Sequence, residues 1–376
     1  MLPFRTMGEI KDLKGKRVLL RVDLNLPIKN GIVQNDFRIR RSLPTVQFLR
    51  KKGAKIILIA YANKSTDSLK PVAQHFNRFV RVGFIPAVTG SLVSSAVNKL
   101  PNGGVLLLEN LRSVRGEEMN SLNFAKELAS LGDIYINEAF SNSHRAYASI
   151  MRLPKLLPSY AGFLFESEYK NLIKARKPKK PFYFILGGAK VETKLPLIKY
   201  FLPVAKKAFI LGGPANTFFK VRGYETGKSV VGGFFTGLKS LVNNKKISLP
   251  KDALLLSGKI SRTDGLSRED KIVDIGPETI RGLKGCIQEA KSILFNGPVG
   301  IYDEGFSHGT EELLKMMARS KAKIVMGGGD TVVSVTKLKL ENRFTFISTG
   351  GGAMLEFLAT GTLPGVEALK KAKNGF

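Results

Sequence analysis

The sequence is poor in cysteine, tryptophan and acidic residues. Cys286 is its only cysteine, which excludes a disulfide framework and fits a reducing compartment. No run of about 18 apolar residues could span a bilayer, and residues 1–17 lack the pattern of a signal peptide. We therefore expect a cytoplasmic protein without a membrane partner. Its 376 residues exceed one ordinary hydrophobic core, which predicts two domains.

Positive charge dominates the composition. Sixty Lys and Arg residues face thirty Asp and Glu residues, a formal net charge of +30. A charge of this sign attracts nucleic acid, anionic surfaces and phosphorylated metabolites alike. The cations are scattered along the chain, and neither zinc-finger spacing nor an RNA-binding aromatic motif accompanies them. The charge therefore predicts nonspecific attraction of polyanions and identifies no single partner.

Short apolar runs alternate with amphipathic stretches along the whole chain. Strand-length runs separated by helical patterns predict parallel sheets with crossover helices. We interpret the chain as two doubly wound α/β domains. The predicted strands are Arg17–Val22, Lys55–Ala60, Val105–Leu108, Ile134–Ile136, Phe182–Leu186, Ala208–Leu211, Ser292–Phe295, Lys323–Met326 and Phe344–Ile347.

The domain boundary is expected near residues 163–181. Residues 166–175 have the pattern of a helix, and Pro178 and Pro181 follow it closely. A helix does not continue through such a proline-containing turn.

Glycine recurs where the second-half strands are predicted to end. In an open α/β sheet, ligands bind beyond the carboxyl ends of the strands. Glycine there lets backbone N–H groups approach an oxyanion, and a following helix N-terminus adds positive potential. No P-loop motif is present. The loops that predict a phosphate site are Gly187-Gly188, Gly212-Gly213, Asn296-Gly297-Pro298, Gly327–Asp330 and Gly350–Ala353.

Charged residues stand beside these loops. Lys190 and Lys194 are four apart at the start of a predicted helix, a spacing that would place both on one face. Phosphoryl transfer needs cations where charge develops. Asp330 follows a glycine run and could hold Mg²⁺ or cap a helix, and the two roles are compatible.

The first half offers the complementary side chains. Asp23 and Asn25 follow the first predicted strand, and Arg38, Arg112 and Arg145 follow separate turns. Arginine binds carboxylate and phosphate oxygens with two parallel hydrogen bonds. Their convergence at strand ends would favour a small polyanionic metabolite.

Several collinear motifs resemble the phosphoglycerate kinase family over essentially the whole chain. They are Arg21–Pro27 (RVDLNLP), Arg38–Pro44 (RIRRSLP), Leu106–Arg112 (LLLENLR), Asn137–Phe140 (NEAF), His144–Ser149 (HRAYAS), Gly187–Lys194 (GGAKVETK), Asp274–Pro277 (DIGP), Asn296–Gly300 (NGPVG), Gly327–Thr331 (GGGDT), Ile347–Gly352 (ISTGGG) and Leu363–Leu369 (LPGVEAL).

The resemblance implies an α/β fold of two Rossmann-like domains with parallel sheets, joined by an interdomain helix. Residues 1–163, with a returning tail at 362–376, would bind phosphoglycerate. Residues 164–361, including a linker helix at 166–176, would bind the nucleotide. It further implies a monomer that closes by hinge bending and transfers a phosphoryl group reversibly between 1,3-bisphosphoglycerate and ADP, yielding 3-phosphoglycerate and ATP. This is a reaction of glycolysis and gluconeogenesis, with Mg²⁺ as cofactor and ATP or ADP as co-substrate.

The resemblance also assigns roles to individual residues. It implies that His144 supports the site rather than acting as a base. The catalytic group would be Arg38, Lys190, Lys194, Gly351 and Gly352. Substrate would be bound by Asp23, Asn25, Arg38, Tyr61, Lys64, Arg112 and Arg145. The nucleotide would be bound by Lys194, Asp303, Gly328, Gly329, Asp330 and Thr331, with Asp330 also holding the metal.

The chain departs from the family pattern at several positions. Where the family has Ser-His-Leu-Gly-Arg-Pro, it reads AYANKS at 60–65, so Tyr61 and Lys64 replace a histidine and an arginine. Lysine keeps the charge and loses the two-pronged geometry. The other departures are Asp303 for glutamate, Phe295 for tryptophan, Pro214 for a third glycine and Met354 for serine. A weakly active or inactive relative that binds polyanions such as nucleic acid is the alternative hypothesis.

Overall fold

The computed structural model describes residues 2–233 and 236–373. The chain divides into two compact units. One comprises the chain up to Lys170 together with the segment from Thr362, and the other comprises Asn171–Gly361. Each unit contains a six-stranded sheet. No helix within the described residues is both long and apolar enough to cross a membrane.

The first unit is built on a parallel sheet of order β5-β6-β4-β1-β7-β8. Its central strands are buried on both faces, which is why they appear in the sequence as continuous apolar runs. A hairpin of β2 and β3 stands apart. The strands are β1 (Arg17–Arg21), β2 (Ile28–Lys29), β3 (Ile32–Val33), β4 (Lys55–Ile59), β5 (Gly83–Ile85), β6 (Val105–Leu108), β7 (Ile134–Asn137) and β8 (Ser159–Ala161).

Helices cover this sheet and complete its core. Ile39, Val46 and Leu49 of the first helix are buried in one cluster with Leu20 and Ile56 of the strands. The helices are α1 (Phe37–Lys51), α2 (Lys70–Phe76), α3 (Ser91–Lys99), α4 (Arg115–Glu118), α5 (Leu122–Ala129) and α6 (Ala148–Met151).

The next helix, α7 (Phe163–Ala175), contains the division between the two units, which falls after Lys170. Its first backbone N–H groups have partners in the first unit. The Phe163 amide donates to the Thr45 hydroxyl at 3.2 Å, and the Leu164 amide donates to the Glu138 carboxylate at 3.1 Å. The first N–H groups of a helix have no partner within the helix itself. Because these two are paired with Thr45 and Glu138, the helix begins at Phe163, three residues before the predicted start at residue 166. Burial raises the pKa of Glu138 to about 8.

The second unit repeats the parallel architecture, in the order β11-β10-β9-β15-β16-β17. A separate antiparallel sheet of β12, β13 and β14 was missed by the strand predictions. The strands are β9 (Phe182–Leu186), β10 (Lys207–Ile210), β11 (Ile247–Ser248), β12 (Asp252–Leu255), β13 (Ile260–Arg262), β14 (Ile272–Ile275), β15 (Ser292–Asn296), β16 (Lys323–Gly327) and β17 (Phe346–Ile347).

Helices of the second unit pack on its sheet around Ile185, Phe295 and Met326, with Leu313 and Met317 in the same cluster. They are α8 (Leu195–Phe201), α9 (Gly212–Val221), α10 (Thr236–Val242), α11 (Pro277–Glu289), α12 (His308–Ala318), α13 (Gly329–Lys337) and α14 (Gly352–Thr360). Two α/β units with parallel sheets confirm the predicted fold class.

The last helix, α15 (Pro364–Lys373), packs on the first unit. Its Val366 and Leu369 are buried, and the Arg5 guanidinium donates to the Ala372 carbonyl at 2.9 Å. The Gly365 amide donates to the Ser143 carbonyl at 2.8 Å. Residues 374–376 of the expected tail lie outside the described residues.

Candidate active site

The carboxyl ends of the first unit's strands form one edge of the sheet, which we call the first carboxyl edge. Parallel pairing places Arg21 of β1 beside Ile59 of β4 and Asn137 of β7. Segments that leave this edge carry Asp23, Asn25, Tyr61, Lys64, Arg112 and Arg145. The fold therefore brings together residues that are far apart in the sequence.

Arg38, on α1, reaches this edge through Asp23. Its Nη1 lies 2.7 Å from Asp23 Oδ2 and donates to the Asn25 carbonyl at 3.1 Å. The Ser141 hydroxyl also donates to Asp23, which is almost fully buried. Among the described residues, Nε and Nη2 of Arg38 make no hydrogen bond, and its side chain is 32% exposed. One side of the guanidinium is thus oriented by an acid while the other can accept an anion.

Tyr61 packs against two arginines at the same edge. The guanidinium carbons of Arg21 and Arg112 lie 5.1 and 4.4 Å from its ring centroid, within the range of cation–π attraction. The Tyr61 hydroxyl accepts from Asn142 Nδ2 at 3.0 Å. Burial, reinforced by the negative charge of Asp23, raises the pKa of Tyr61. The phenol therefore stays neutral and positions a cation.

Arg21 is a buried cation at the start of the RVDLNLP motif, and the motif did not predict a role for it. It donates to Ser149 Oγ at 2.9 Å and to the Val22 carbonyl at 2.7 Å, and its Nη2 lies 4.0 Å from buried Glu117. An arginine that ends an apolar strand is the signal that could have identified it.

Two of the three guanidinium nitrogens of Arg112 donate hydrogen bonds, and the third lies against an acid without a hydrogen bond. Nη1 donates to the Asn63 carbonyl at 2.5 Å, Nη2 donates to the Tyr147 hydroxyl at 2.9 Å, and Nε lies 2.9 Å from Glu118. A bound anion would have to replace at least one of them. Glu118 is half exposed, so its ion pair with Arg112 contributes little stability and is the easiest contact for an anion to replace.

Asn110 organises the loop that departs from the family pattern. Its Oδ1 accepts from the amides of Ala62 and Arg112, both at 3.0 Å. Its Nδ2 donates to the carbonyls of Lys64 and Asp67, both at 2.8 Å. This buried amide therefore holds the backbone of the loop, while the Lys64 side chain is exposed. We had not singled out Asn110 from the sequence.

Arg145 and His144 follow a short 3₁₀ helix, Phe140–Asn142. The Arg145 side chain is exposed beyond the strand end. His144 is partly buried, and this burial together with the charge of Arg145 lowers its pKa. The supporting role of His144 stays a prediction.

The glycine loops of the second unit all leave one edge of its sheet, the second carboxyl edge. Asn296, which ends β15, pairs with Leu186 of β9 and Gly327 of β16. A side chain at Gly187 would place its Cβ 2.3 Å from the Pro298 carbonyl oxygen. The loops therefore approach one another through backbone atoms, at a distance that only glycine allows.

Lys194 is buried among these loops. Its ammonium donates to Asn296 Oδ1 at 2.9 Å, and burial lowers its pKa to about 8. The prediction that Lys190 and Lys194 share a helical face is wrong. Lys190 precedes a 3₁₀ turn, Glu192–Lys194, and α8 begins only at Leu195, so Lys190 is exposed in a loop.

Four nucleotide-site candidates lie at the start of α13. Gly328 is the N-cap of this helix, with φ 111°, and Asp330 lies in its first turn, so Asp330 is not the cap. Burial and the charge of Asp303 raise the pKa of Asp330. The Thr331 hydroxyl is buried and has no hydrogen-bond partner within the described part of the chain. Gly329 faces open space.

The residues near Asp330 suit a Mg²⁺ ion that is held partly by the protein and partly by the bound nucleotide. Within the described ranges, no group of three or more His, Cys, Asp or Glu side chains could form a metal cage. Mg²⁺ commonly takes one or two carboxylates and completes its octahedron with water and phosphate oxygens. A cation would also relieve the repulsion between Asp330 and Asp303.

The last glycine run precedes α14. Gly351 is its N-cap, with φ 52° and ψ −121°, and a Cβ added there would meet no neighbouring atom. Glycine is needed for this backbone conformation rather than for space.

Comparison with known proteins identifies the family. The model of the phosphoglycerate kinase family matches residues 7–361. The chain is 40% identical to the phosphoglycerate kinase of Dictyoglomus turgidum, over 96% of this chain and 97% of the relative. The chain belongs to the phosphoglycerate kinase family.

Solved structures agree with this assignment. The phosphoglycerate kinase from Pyrococcus horikoshii aligns with a TM-score of 0.90 at 29% identity, over 99% of this chain and 100% of that one. The phosphoglycerate kinase from Coxiella burnetii aligns with a TM-score of 0.81 at 32% identity, over 99% and 100%.

The structure accommodates the departures from the phosphoglycerate kinase pattern in the second unit. Phe295 is fully buried in the core. Pro214 lies in the first turn of α9, where its missing N–H costs no helical hydrogen bond. Met354 is buried against the backbone of another glycine loop, since a Cβ at Gly327 would lie 2.3 Å from its sulfur.

Proposed function

We propose that this chain is an active ATP-dependent phosphoglycerate kinase. It transfers a phosphoryl group reversibly between 1,3-bisphosphoglycerate and ADP, producing 3-phosphoglycerate and ATP in glycolysis and gluconeogenesis. The observation that carries this proposal is that each carboxyl edge presents an oriented cation, Arg38 on the first and Lys194 on the second. The family assignment names the reaction that uses them.

The first carboxyl edge binds the phosphoglycerate. Arg38, oriented by Asp23, offers its free nitrogens to the acyl-phosphate end of the substrate. Arg112, Arg145 and Lys64 supply positive charge for its other anionic group. Asn25 and Tyr61 position these cations.

The second carboxyl edge binds the nucleotide. Backbone N–H groups at Gly328, Gly329, Gly351 and Gly352 approach the phosphate oxygens. Thr331 donates its buried hydroxyl to the same group, and Asp303 lies near the ribose. Asp330 holds Mg²⁺, which neutralises phosphate charge when bound.

Lys194 and Arg38 stabilise the charge of the transferring phosphoryl group. The reaction requires no covalent enzyme intermediate, so positioned cations account for most of the catalysis. Lys194 is held by Asn296 in a buried site, where electrostatic interactions are stronger than in water. Lys190, which is exposed, contributes long-range attraction.

No finding favours an inactive relative that binds nucleic acid. The net charge remains a source of nonspecific attraction for polyanions. We further propose that the protein works as a monomer in the cytoplasm.

A coupled assay with both substrates and Mg²⁺ tests the proposal. We expect turnover by the wild type, and a fall in kcat of about a thousandfold in Arg38→Ala. Arg38→Lys is the matched control, because it keeps the charge and loses the bidentate geometry, and it should recover only part of the loss. An inactive wild type across a range of salt concentrations would end the proposal.

A further inference from the structure

A cavity of about 530 Å³ opens at the amino end of the second unit's sheet. Its apolar wall includes Ile173 of α7, Phe182 of β9, Leu294 of β15 and Val325 of β16. Ligand pockets typically measure about 300–1,000 Å³ and are lined mainly by apolar side chains. The cavity therefore has the size and lining of a small-molecule site.

This cavity is separate from the nucleotide site. Phe182 and Ser292 begin β9 and β15, whereas the glycine loops leave the opposite ends of these strands. A five-residue parallel strand is about 16 Å long. No glycine-loop residue lines the cavity.

Four lysines surround the apolar wall. Lys174, Lys177, Lys179 and Lys323 line the cavity, and no acidic residue of the described ranges does. Their side chains are exposed, and none of them forms a salt bridge with an acid in the described part of the chain.

Further lysines strengthen the positive potential at this end of the sheet. Lys291 directly precedes β15, and Lys207 begins β10. Lys206 has an acidic partner, Glu289, at 2.9 Å, so the cluster is only partly compensated. A cleft lined by charge of one sign with low-dielectric walls concentrates counter-ions.

We propose that this cavity binds a small amphipathic anion, a medium-chain carboxylate. Its hydrocarbon chain would cover the apolar wall, and its carboxylate would reach the lysines at the mouth. A simple phosphate would satisfy the charge and leave the apolar wall in water. A nucleic acid would contact the lysines and leave the cavity unfilled. Only a ligand that has both an apolar chain and an anionic group would cover the apolar wall and also pair with the lysines.

Calorimetry with decanoate, below its micelle-forming concentration, tests the proposal on the full-length protein. We expect one site per chain, with weaker binding as salt rises. The double variant Lys174→Ser, Lys323→Ser should weaken binding about fivefold. Ile173→Glu places a negative charge in the wall and should weaken it about tenfold. Ile173 is 37% exposed, so this change leaves the fold intact.

The matched control is Lys239→Ser, Lys284→Ser, which removes two exposed lysines of the same unit on α10 and α11. It should bind decanoate as the wild type does. The proposal is overturned if decanoate does not bind, if the control loses as much affinity as the cavity variant, or if decyltrimethylammonium binds equally well. Displacement of decanoate by ATP would also overturn it, because the two sites would then be one.

Discussion

The two carboxyl edges, each of which we propose to bind a polyanion, are built in different ways. The first edge uses side chains, since Arg38 and Arg112 are held in position by acids, a tyrosine ring and backbone carbonyls. The second edge uses backbone, because its glycine loops pack at distances that exclude side chains, around one buried lysine. Side-chain recognition depends on the identity of each residue. Backbone recognition depends on conformation and tolerates variation around it.

This difference explains where the chain departs from its family. On the second edge, Phe295, Pro214 and Met354 change residues beside or beneath the loops, and Asp303 changes a side chain that is expected to face the nucleotide. On the first edge, Tyr61 and Lys64 change side chains that are expected to face the substrate. We therefore expect the functional consequences to be concentrated in phosphoglycerate binding, and substitutions can test this separation.

The largest effect is expected for Lys194→Met. It should lower kcat about a thousandfold, because the second edge loses its buried cation. Burial lowers the pKa of Lys194 from 10.5 to about 8, so below pH 8 the folded protein carries a buried charge that destabilises it. Removing it should raise the free energy of unfolding of the second unit at pH 7 by about 3 kcal/mol. Activity assays and denaturant titration measure the two effects.

The pH dependence has a defined sign. Above pH 8 the folded Lys194 is neutral while the unfolded one stays charged to about 10.5, so stability should rise across this window in the wild type and stay flat in Lys194→Met. In the wild type, kcat/KM for the nucleotide should fall as pH rises through about 8. A more stable wild type at pH 7 would contradict the burial argument.

Gly329→Ala tests backbone recognition directly. A Cβ at this position meets no neighbouring atom, and Gly329 has no left-handed φ, so the fold should be preserved. The methyl group would obstruct the approach of phosphate oxygens and raise KM for ATP about tenfold. KM for phosphoglycerate should not change. Gly285→Ala on α11, which also faces open space, is the control that should leave both values unaltered.

Tyr61→Leu tests side-chain recognition. Losing the ring beneath Arg112 should raise KM for phosphoglycerate about fivefold, since the cation–π contact is worth about 1 kcal/mol. Tyr61→Phe keeps the ring and should behave almost as the wild type. A rise in KM for ATP instead would contradict the proposal that the first edge binds phosphoglycerate and the second edge binds the nucleotide.

The smallest effect is expected for Lys64→Arg. Arginine restores the two-pronged geometry of the family, and calorimetric titration with 3-phosphoglycerate should show binding tightened about threefold. An unchanged affinity would mean that this loop directs its side chain away from the substrate.

Much of the fold was predictable because buried parallel strands are continuous apolar runs. Val105–Leu108 and Phe182–Leu186 were predicted to the residue. The antiparallel sheet was not predicted, because β13 is only three residues long and largely exposed. The start of α7 was placed late because its first N–H groups are paired with Thr45 and Glu138, which are distant in sequence.

The candidate site was predictable as a set of residues and unpredictable as a set of contacts. Motifs pointed to Arg38, Arg112, Lys194 and Asp330. They did not show that Arg112 is already engaged by Tyr147 and Glu118, or that Asn110 holds the Lys64 loop. The prediction that Lys190 and Lys194 share a helical face was wrong, because a 3₁₀ turn separates Lys190 from α8.

The sequence by itself determined the family, the fold class and the chemical types available at the strand ends, because these depend on local periodicity and on motifs that lie along the chain. Only the tertiary structure decided which cations are free, which are paired and which are buried. Burial and pairing depend on neighbours a hundred residues away, such as Asn296 beside Lys194. The low pKa of that lysine and the lysine-lined cavity at the opposite end of the sheet both follow from such distant neighbours.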